Sequence, residues 1–99
     1  MEKISTLRRR IDRIDDEILR LLNKRVKTSK SIFLVKQEIA APAKDYERES
    51  EVYLRVVRKA SEFGLNPEEI KSIYKRIIAM CVRAEKSVGK TMRQDLVLS

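Results

Sequence analysis

Residues 4–21, ISTLRRRIDRIDDEILRL, decide the fold because their apolar side chains recur at alternating steps of three and four. The repeat consists of Ile4, Leu7, Ile11, Ile14, Ile18 and Leu21, and it resumes at Ile32, Val35 and Ile39. This spacing is a heptad seam, which predicts one long helix over about residues 4–40. At ~1.5 Å per residue the helix is roughly 54 Å long. So long a seam favours a partner helix from a second copy of the chain, in a homodimer.

Two shorter helices are predicted beyond Pro42, which interrupts the first pattern. Asp45 is a candidate N-cap for a helix that ends before Gly64, a natural residue for a left-handed helix end. The next helix begins at Asn66-Pro67-Glu68-Glu69, which combines an N-cap asparagine, a first-turn proline and a capping-box glutamate.

These segments, roughly 4–40, 46–63 and 67–88, predict an all-α fold with one long N-terminal helix plus two shorter helices. We expect a single helical domain over residues 1–89, followed by a C-terminal tail over 90–99. Gly89 costs about 1 kcal/mol inside a helix, so three alternatives stay open for the tail: it extends the third helix, frays, or closes over a site.

Composition narrows the possible functions. The 99 residues carry a net charge of +8, contain no histidine and have one cysteine. The sequence therefore excludes histidine-based triads and metal sites, and we expect neither a metal nor a cofactor. A lone cysteine favours a reducing compartment, and no apolar run approaches the ~18 residues of a membrane span. We expect a cytoplasmic protein that does not contact a membrane.

Three charged residues occupy positions that packing alone does not explain. Arg25 falls on the seam itself, and Lys36 lies beside it three turns later. A structural explanation is a snorkelling side chain or an ion pair with Glu49 or Glu85, and a functional explanation is a pocket for an anion. Glu85 borders the apolar stripe of the third helix, so it is either solvated at the rim or partly buried with a raised pKa.

Other polar positions have simpler explanations. Cys81 is better explained as a small core residue than as a nucleophile, because no base candidate lies near it. The cluster Arg8-Arg9-Arg10 is explained either by a solvated face or by nucleic-acid binding. Acidic residues on the same helix and the lack of a nucleic-acid-binding motif favour the first, so we expect no nucleic acid as partner.

In order and spacing, the charged residues match a known family. The matching pieces are Leu7-Arg8-x-x-Ile11-Asp12-x-Ile14-Asp15, Leu21-Leu22-x-x-Arg25, Val35-Lys36 and Asp45-x-x-Arg48-Glu49. Over about residues 4–88 the chain resembles the small all-helical chorismate mutases. The resemblance implies an intertwined helical homodimer with two sites that convert chorismate to prephenate, in the biosynthesis of Phe and Tyr.

The resemblance also implies roles for particular residues. Arg25 would bind one substrate carboxylate within its own chain, and Arg8 would bind a carboxylate in the site of the partner. Lys36 would donate to the ether oxygen and a carboxylate. Asp45, through its backbone, and Glu49 would hold the ring hydroxyl, and Arg48 would support the carboxylate-binding shell.

Two positions depart from the commonest bacterial pattern of that family. Cys81 stands where many relatives have serine, which weakens one hydrogen bond to a carboxylate. Glu85 stands where many have glutamine beside the ether oxygen, so only its protonated form could donate there.

Two functions other than chorismate mutase are compatible with the sequence. One is an isochorismate pyruvate-lyase, a related helical protein with a similar basic pocket. The other is a basic helical module that binds nucleic acid or a partner helix, which predicts salt-sensitive binding and no turnover.

Overall fold

The computed structural model describes residues 3–98, with side chains described through Gly89, and this part of the chain is helical with short turns. The helices are α1 (Ile4–Glu38), α2 (Tyr46–Glu62) and α3 (Pro67–Leu98). Both α1 and α2 pack against α3, which is therefore the central element. The predicted all-α fold with a long first helix is confirmed.

The starts of the two later helices follow the predicted capping residues. Asp45 is the N-cap of α2, and its side chain accepts a hydrogen bond of 3.0 Å from the backbone N–H of Arg48. Asn66 caps α3 in the same way, accepting 3.1 Å from the N–H of Glu69. Each cap satisfies a first-turn donor that has no partner inside the helix.

The ends of α1 and α2 have the same geometry but different residues. Each helix is closed by a residue with positive φ, Ala40 at 54° and Gly64 at 73°. In each turn the backbone N–H of the following residue donates a 2.8 Å hydrogen bond to a carbonyl of the helix. Ala41 donates to the carbonyl of Lys36, and Leu65 donates to that of Ala60. This is the Schellman motif, in which glycine avoids the strain that a Cβ introduces. The predicted role of Gly64 is confirmed, and α1 ends on a strained alanine.

The helix α3 continues beyond the segment 67–88 predicted from the sequence. It passes through Gly89 and runs to Leu98. A Cβ at position 89 would lie 3.3 Å from the Phe33 ring on α1, so the glycine admits a close contact between the two helices. Packing of this kind explains why a glycine is compatible with a helix interior here.

The apolar seam of α1 is not covered within one chain. None of the residues of α1 is buried, and the buried side chains among residues 3–89 are Val56, Ala60 and Cys81. Seam residues remain substantially exposed, for example Ile11 at 56% and Ile18 at 49%. The radius of gyration is 17.9 Å, against about 13 Å for a compact domain of this length. The single chain is an extended scaffold with a small core.

Over the residues that the structure describes, none of the helices combines the length and apolar composition that crossing a bilayer requires.

The two Schellman turns yield a matched pair of stability predictions. We expect Ala40→Gly to raise the free energy of unfolding by about 0.5–1 kcal/mol, because it relieves left-handed strain at the end of α1. Gly64→Ala should lower it by about 1 kcal/mol, since its φ of 73° disfavours a Cβ although no atom lies within 4 Å. Urea unfolding at one fixed protein concentration measures both changes. Changes of the same sign and size in the free energy of unfolding of the two variants would contradict the assignment of strain to Ala40.

Candidate active site

A pocket of about 410 Å³ lies where α1, the start of α2 and α3 converge. The second half of α1 forms one wall, the turn before α2 and its first residues form the second, and α3 closes the third. The residues that line it are Arg25, Thr28, Ser29, Ile32, Phe33, Lys36, Ala43, Lys44, Asp45, Arg48, Glu49, Val52, Ile78, Val82, Glu85 and Lys86. Most of the site residues expected from the sequence are therefore brought together, although they come from three helices.

Helical spacing and the turn after α1 explain this convergence. Arg25 and Lys36 are three turns apart on α1 and so project from the same side of the helix. The Nζ of Lys36 donates a 3.2 Å hydrogen bond to the backbone carbonyl of Ala43. This bond ties the end of α1 to the turn that carries Asp45, whose cap fixes the first turn of α2 at the pocket edge.

Arg25 has a neutral neighbour rather than an acidic one. Its Nη1 lies 2.9 Å from the Sγ of Cys81, to which it donates a hydrogen bond. Among the side chains described for residues 3–89, no carboxylate forms an ion pair with Arg25. The ion pair with Glu49 or Glu85 considered from the sequence is therefore not formed, and no carboxylate of residues 3–89 compensates the guanidinium charge by direct contact.

Glu49 and Arg48, at the start of α2, have charged partners at the pocket rim. Glu49 accepts from the Nζ of Lys44 at 3.2 Å, and that ammonium lies 5.2 Å from the centre of the Tyr46 ring. Arg48 pairs with Glu51 at 3.2 Å. These groups are partly exposed, so each pair adds little stability, and they remain free to exchange partners with a ligand.

The carboxyl of Glu85 has a raised pKa. Partial burial is the largest cause, because it penalises the charged form, and neighbouring Glu49 acts in the same direction. Lys36 and, more weakly, Arg25 and Lys44 oppose the shift. Of the two alternatives that the sequence left open for Glu85, the structure supports partial burial with a raised pKa. Glu85 thus lies among cations but still favours its neutral form more than a solvated glutamate does.

Two of the expected site residues do not line this pocket. Cys81 is 3% exposed and contacts Arg25, but it does not line the cavity. Arg8 is exposed near the start of α1 and is not a lining residue. It precedes Arg25 by 17 positions, or roughly 26 Å along the helix. The single chain therefore assembles the pocket without its own Arg8.

The sequence pattern did not single out Lys44 and Lys86, which also line the pocket. Both sit beside residues that were recognised, Asp45 and Glu85, but nothing in their own spacing marks them. Lys44 lies in the turn, outside any helical period. Lys86 adjoins the stripe of α3, where a lysine is ordinarily explained by solvent exposure.

The charges of the pocket favour a small, doubly negative ligand. Its lining contains five cationic side chains and three carboxyl groups. The cations are Arg25, Lys36, Lys44, Arg48 and Lys86, and the acids are Asp45, Glu49 and Glu85. Protonation of Glu85 makes the pocket more positive and adds a donor. Planar guanidinium groups suit carboxylates because they present two parallel donors.

A known protein family matches most of the chain. The family model of chorismate mutase type II matches residues 7–86, which include every residue that lines the pocket. No solved structure gives a significant match.

Two curated relatives are similar to the chain. A bifunctional chorismate mutase/prephenate dehydratase of Aquifex aeolicus is 42% identical over 91 residues, which cover 89% of this chain and 25% of that protein. A chorismate mutase of Methanocaldococcus jannaschii is 28% identical over 95 residues, which cover 96% of this chain and 92% of that protein.

The chain thus spans about a quarter of the first relative and nearly the whole of the second. The family match covers most of its length and all of the cationic pocket. This chain belongs to the chorismate mutase type II family.

Proposed function

We propose that the chain is a chorismate mutase that rearranges chorismate to prephenate in the biosynthesis of phenylalanine and tyrosine. The observation that carries the proposal is a pocket with five cationic side chains, of which Arg25 has a neutral neighbour instead of an acid. Such a pocket suits a dicarboxylate. Family membership supplies the reaction, since the matched region contains the whole lining.

The reaction suits the chemical groups that line the pocket. A Claisen rearrangement breaks a C–O bond and forms a C–C bond within one molecule, so it needs no nucleophile, metal or proton shuttle. Negative charge builds on the ether oxygen in the transition state. Preorganised donors aimed at that oxygen lower the barrier, and clamps on the carboxylates select the compact conformer that reacts.

The proposed roles follow from the groups present. Arg25 binds one carboxylate of chorismate, and Lys36 donates to the ether oxygen and a carboxylate. Glu49 and the backbone of Asp45 hold the ring hydroxyl, while Arg48 supports the carboxylate-binding shell. Lys36 already donates to a carbonyl at 3.2 Å, so it turns towards substrate from a position at the pocket wall.

We further propose that two chains form an intertwined homodimer. The accessible surface of one chain is 8590 Å², against about 5,800 Å² for a compact monomer of this mass. The excess of about 2,800 Å² is on the scale that obligate homodimers bury. A second copy would cover the exposed seam of α1. In this arrangement Arg8 of the partner subunit reaches the pocket and binds the other carboxylate of chorismate.

Removal of the clamping cations tests the proposed reaction. We expect the wild-type chain to form prephenate, and Arg25→Ala and Lys36→Ala to lower kcat/KM by about 100-fold or more, since each removes a preorganised donor. The measurement is the loss of chorismate's ultraviolet absorbance, with identification of the product.

Lys27→Ala is the matched control, because Lys27 is an exposed α1 lysine that does not line this pocket. It should stay within about threefold of wild type. A folded wild-type protein that leaves chorismate unchanged would contradict the proposal. Isochorismate, assayed in parallel, tests the lyase alternative.

Mixing of inactive variants tests whether the site is shared between subunits. Arg8→Ala and Arg25→Ala homodimers should each be inactive. After subunit exchange, half of the dimers are hybrids with one intact site, so activity should return to about a quarter of the wild-type value. The control mixture of Arg25→Ala and Lys36→Ala should recover nothing, because both residues serve the pocket of their own chain. Equal recovery in the two mixtures, or none in either, would contradict the contribution of Arg8 across the interface.

The pH dependence of kcat/KM tests the role of Glu85. Only the protonated carboxyl donates to the ether oxygen, so activity should fall as pH rises through the pKa of Glu85, which lies above its ordinary value of 4.5. A bound dianion raises that pKa further by adding negative charge nearby. Glu85→Gln provides a permanent donor and should remove the alkaline fall. An unchanged pH profile in Glu85→Gln would contradict this role.

A further inference from the structure

Cys81 has a contact that its expected role does not explain. At 3% exposure it is the least exposed side chain among residues 3–89, and it lies on α3 facing α1. Its Sγ is 2.9 Å from Nη1 of Arg25, whereas the pocket lining includes Arg25 and not Cys81. The arginine therefore stands between the thiol and the cavity.

The direction of this hydrogen bond follows from the chemistry of the two groups. A guanidinium has donors and no acceptor, so the sulfur accepts. The thiol is consequently the internal anchor of one Arg25 nitrogen, and the other guanidinium nitrogens remain able to bind a ligand. Because arginine is rotamer-rich, an anchor of this kind limits the orientations that binding must otherwise select.

A neutral anchor has a further consequence for the charge of the site. A carboxylate in the same place would hold Arg25 more firmly but would cancel part of its charge. The sulfur accepts weakly and leaves the full positive charge facing the pocket. Among the described side chains, Cys81 is the one whose polar atom is hydrogen-bonded to Arg25.

We propose that Cys81 is a positioning residue, which orients the guanidinium of Arg25 towards the substrate carboxylate without itself touching substrate. This inference rests on the proposed mutase function and departs from the family resemblance, in which position 81 bonds the carboxylate directly. The contact exists before any ligand binds, so the arginine is preorganised in the free protein.

Steady-state kinetics of two substitutions test the effect on substrate binding. Cys81→Ala removes the acceptor and should raise KM for chorismate about tenfold, with kcat changed less than about threefold, because binding through Arg25 is weakened in ground state and transition state alike. Cys81→Ser keeps an acceptor on the same Cβ and should restore KM to within about twofold of wild type. Val56→Ala is the control for loss of buried volume, since Val56 is 7% exposed and does not line the pocket. It should leave KM unchanged.

A double-mutant cycle on urea unfolding tests the contact without substrate. Arg25→Met keeps the apolar stem and removes the donors. If Cys81 anchors Arg25, Cys81→Ala should shift the urea midpoint of unfolding less in the Arg25→Met background. The shift there should be at most about half of the shift in the wild-type background. Val56→Ala should produce the same shift in both backgrounds, because it does not contact Arg25.

The outcomes separate this proposal from the proposed function. Equal shifts for Cys81→Ala in both backgrounds, or a coupled shift with an unchanged KM, would overturn the positioning role. A lower KM in Cys81→Ser without coupling would indicate direct bonding to the substrate and overturn it as well. Failure of the wild-type chain to turn over chorismate would overturn the proposed function and the role in that reaction, while the cycle would still report the contact itself.

Discussion

Positive charge without an acidic partner, held where three helices meet, is the constraint on which the rest of this structure depends. Arg25 occupies a seam position that an apolar residue would fill in a simple helical bundle, and among the described side chains it donates a hydrogen bond to a neutral thiol. The pocket around it carries an excess of cations. These cations are partly or largely exposed, and an anion bound among them would relieve their mutual repulsion. The arrangement therefore makes sense as a binding site for a dianion.

The end of α1 and the start of α2 determine where these two helices place their pocket residues. The strained turn at Ala40 and the cap at Asp45 determine how the chain leaves α1 and enters α2. The bond from Lys36 to the Ala43 carbonyl joins them. Asp45 lines the pocket, and Ala40 lies between the lining residues Lys36 and Ala43 along the chain. Backbone strain is typical of segments whose conformation serves a functional site and lowers stability. The exposed seam of α1 leaves an apolar surface that the second copy of the proposed homodimer would cover.

The helical fold and several residues of the candidate site could be predicted from the sequence, because local patterns mark them. The seam of α1 and the caps at Asp45 and Asn66 are local signals, and the structure contains them. Arg25, Lys36 and Glu85 were recognisable because each breaks an apolar pattern. Lys44 and Lys86 were not recognisable, since a lysine in a turn or on a helix surface interrupts no apolar pattern. At Gly89 the backbone of α3 passes so close to Phe33 of α1 that a Cβ would be crowded, and this contact between two helices is not visible in the sequence of one.

We propose that a cationic pocket of one chain, completed by an arginine of a second chain, holds a dicarboxylate. The most direct test is a crystal structure of the protein with prephenate bound. We predict the product in the pocket between α1 and α3, with one carboxylate on Arg25 and the other on Arg8 of the partner subunit. Prephenate bound elsewhere, or bound in this pocket by one chain with no arginine from a second, would contradict the account.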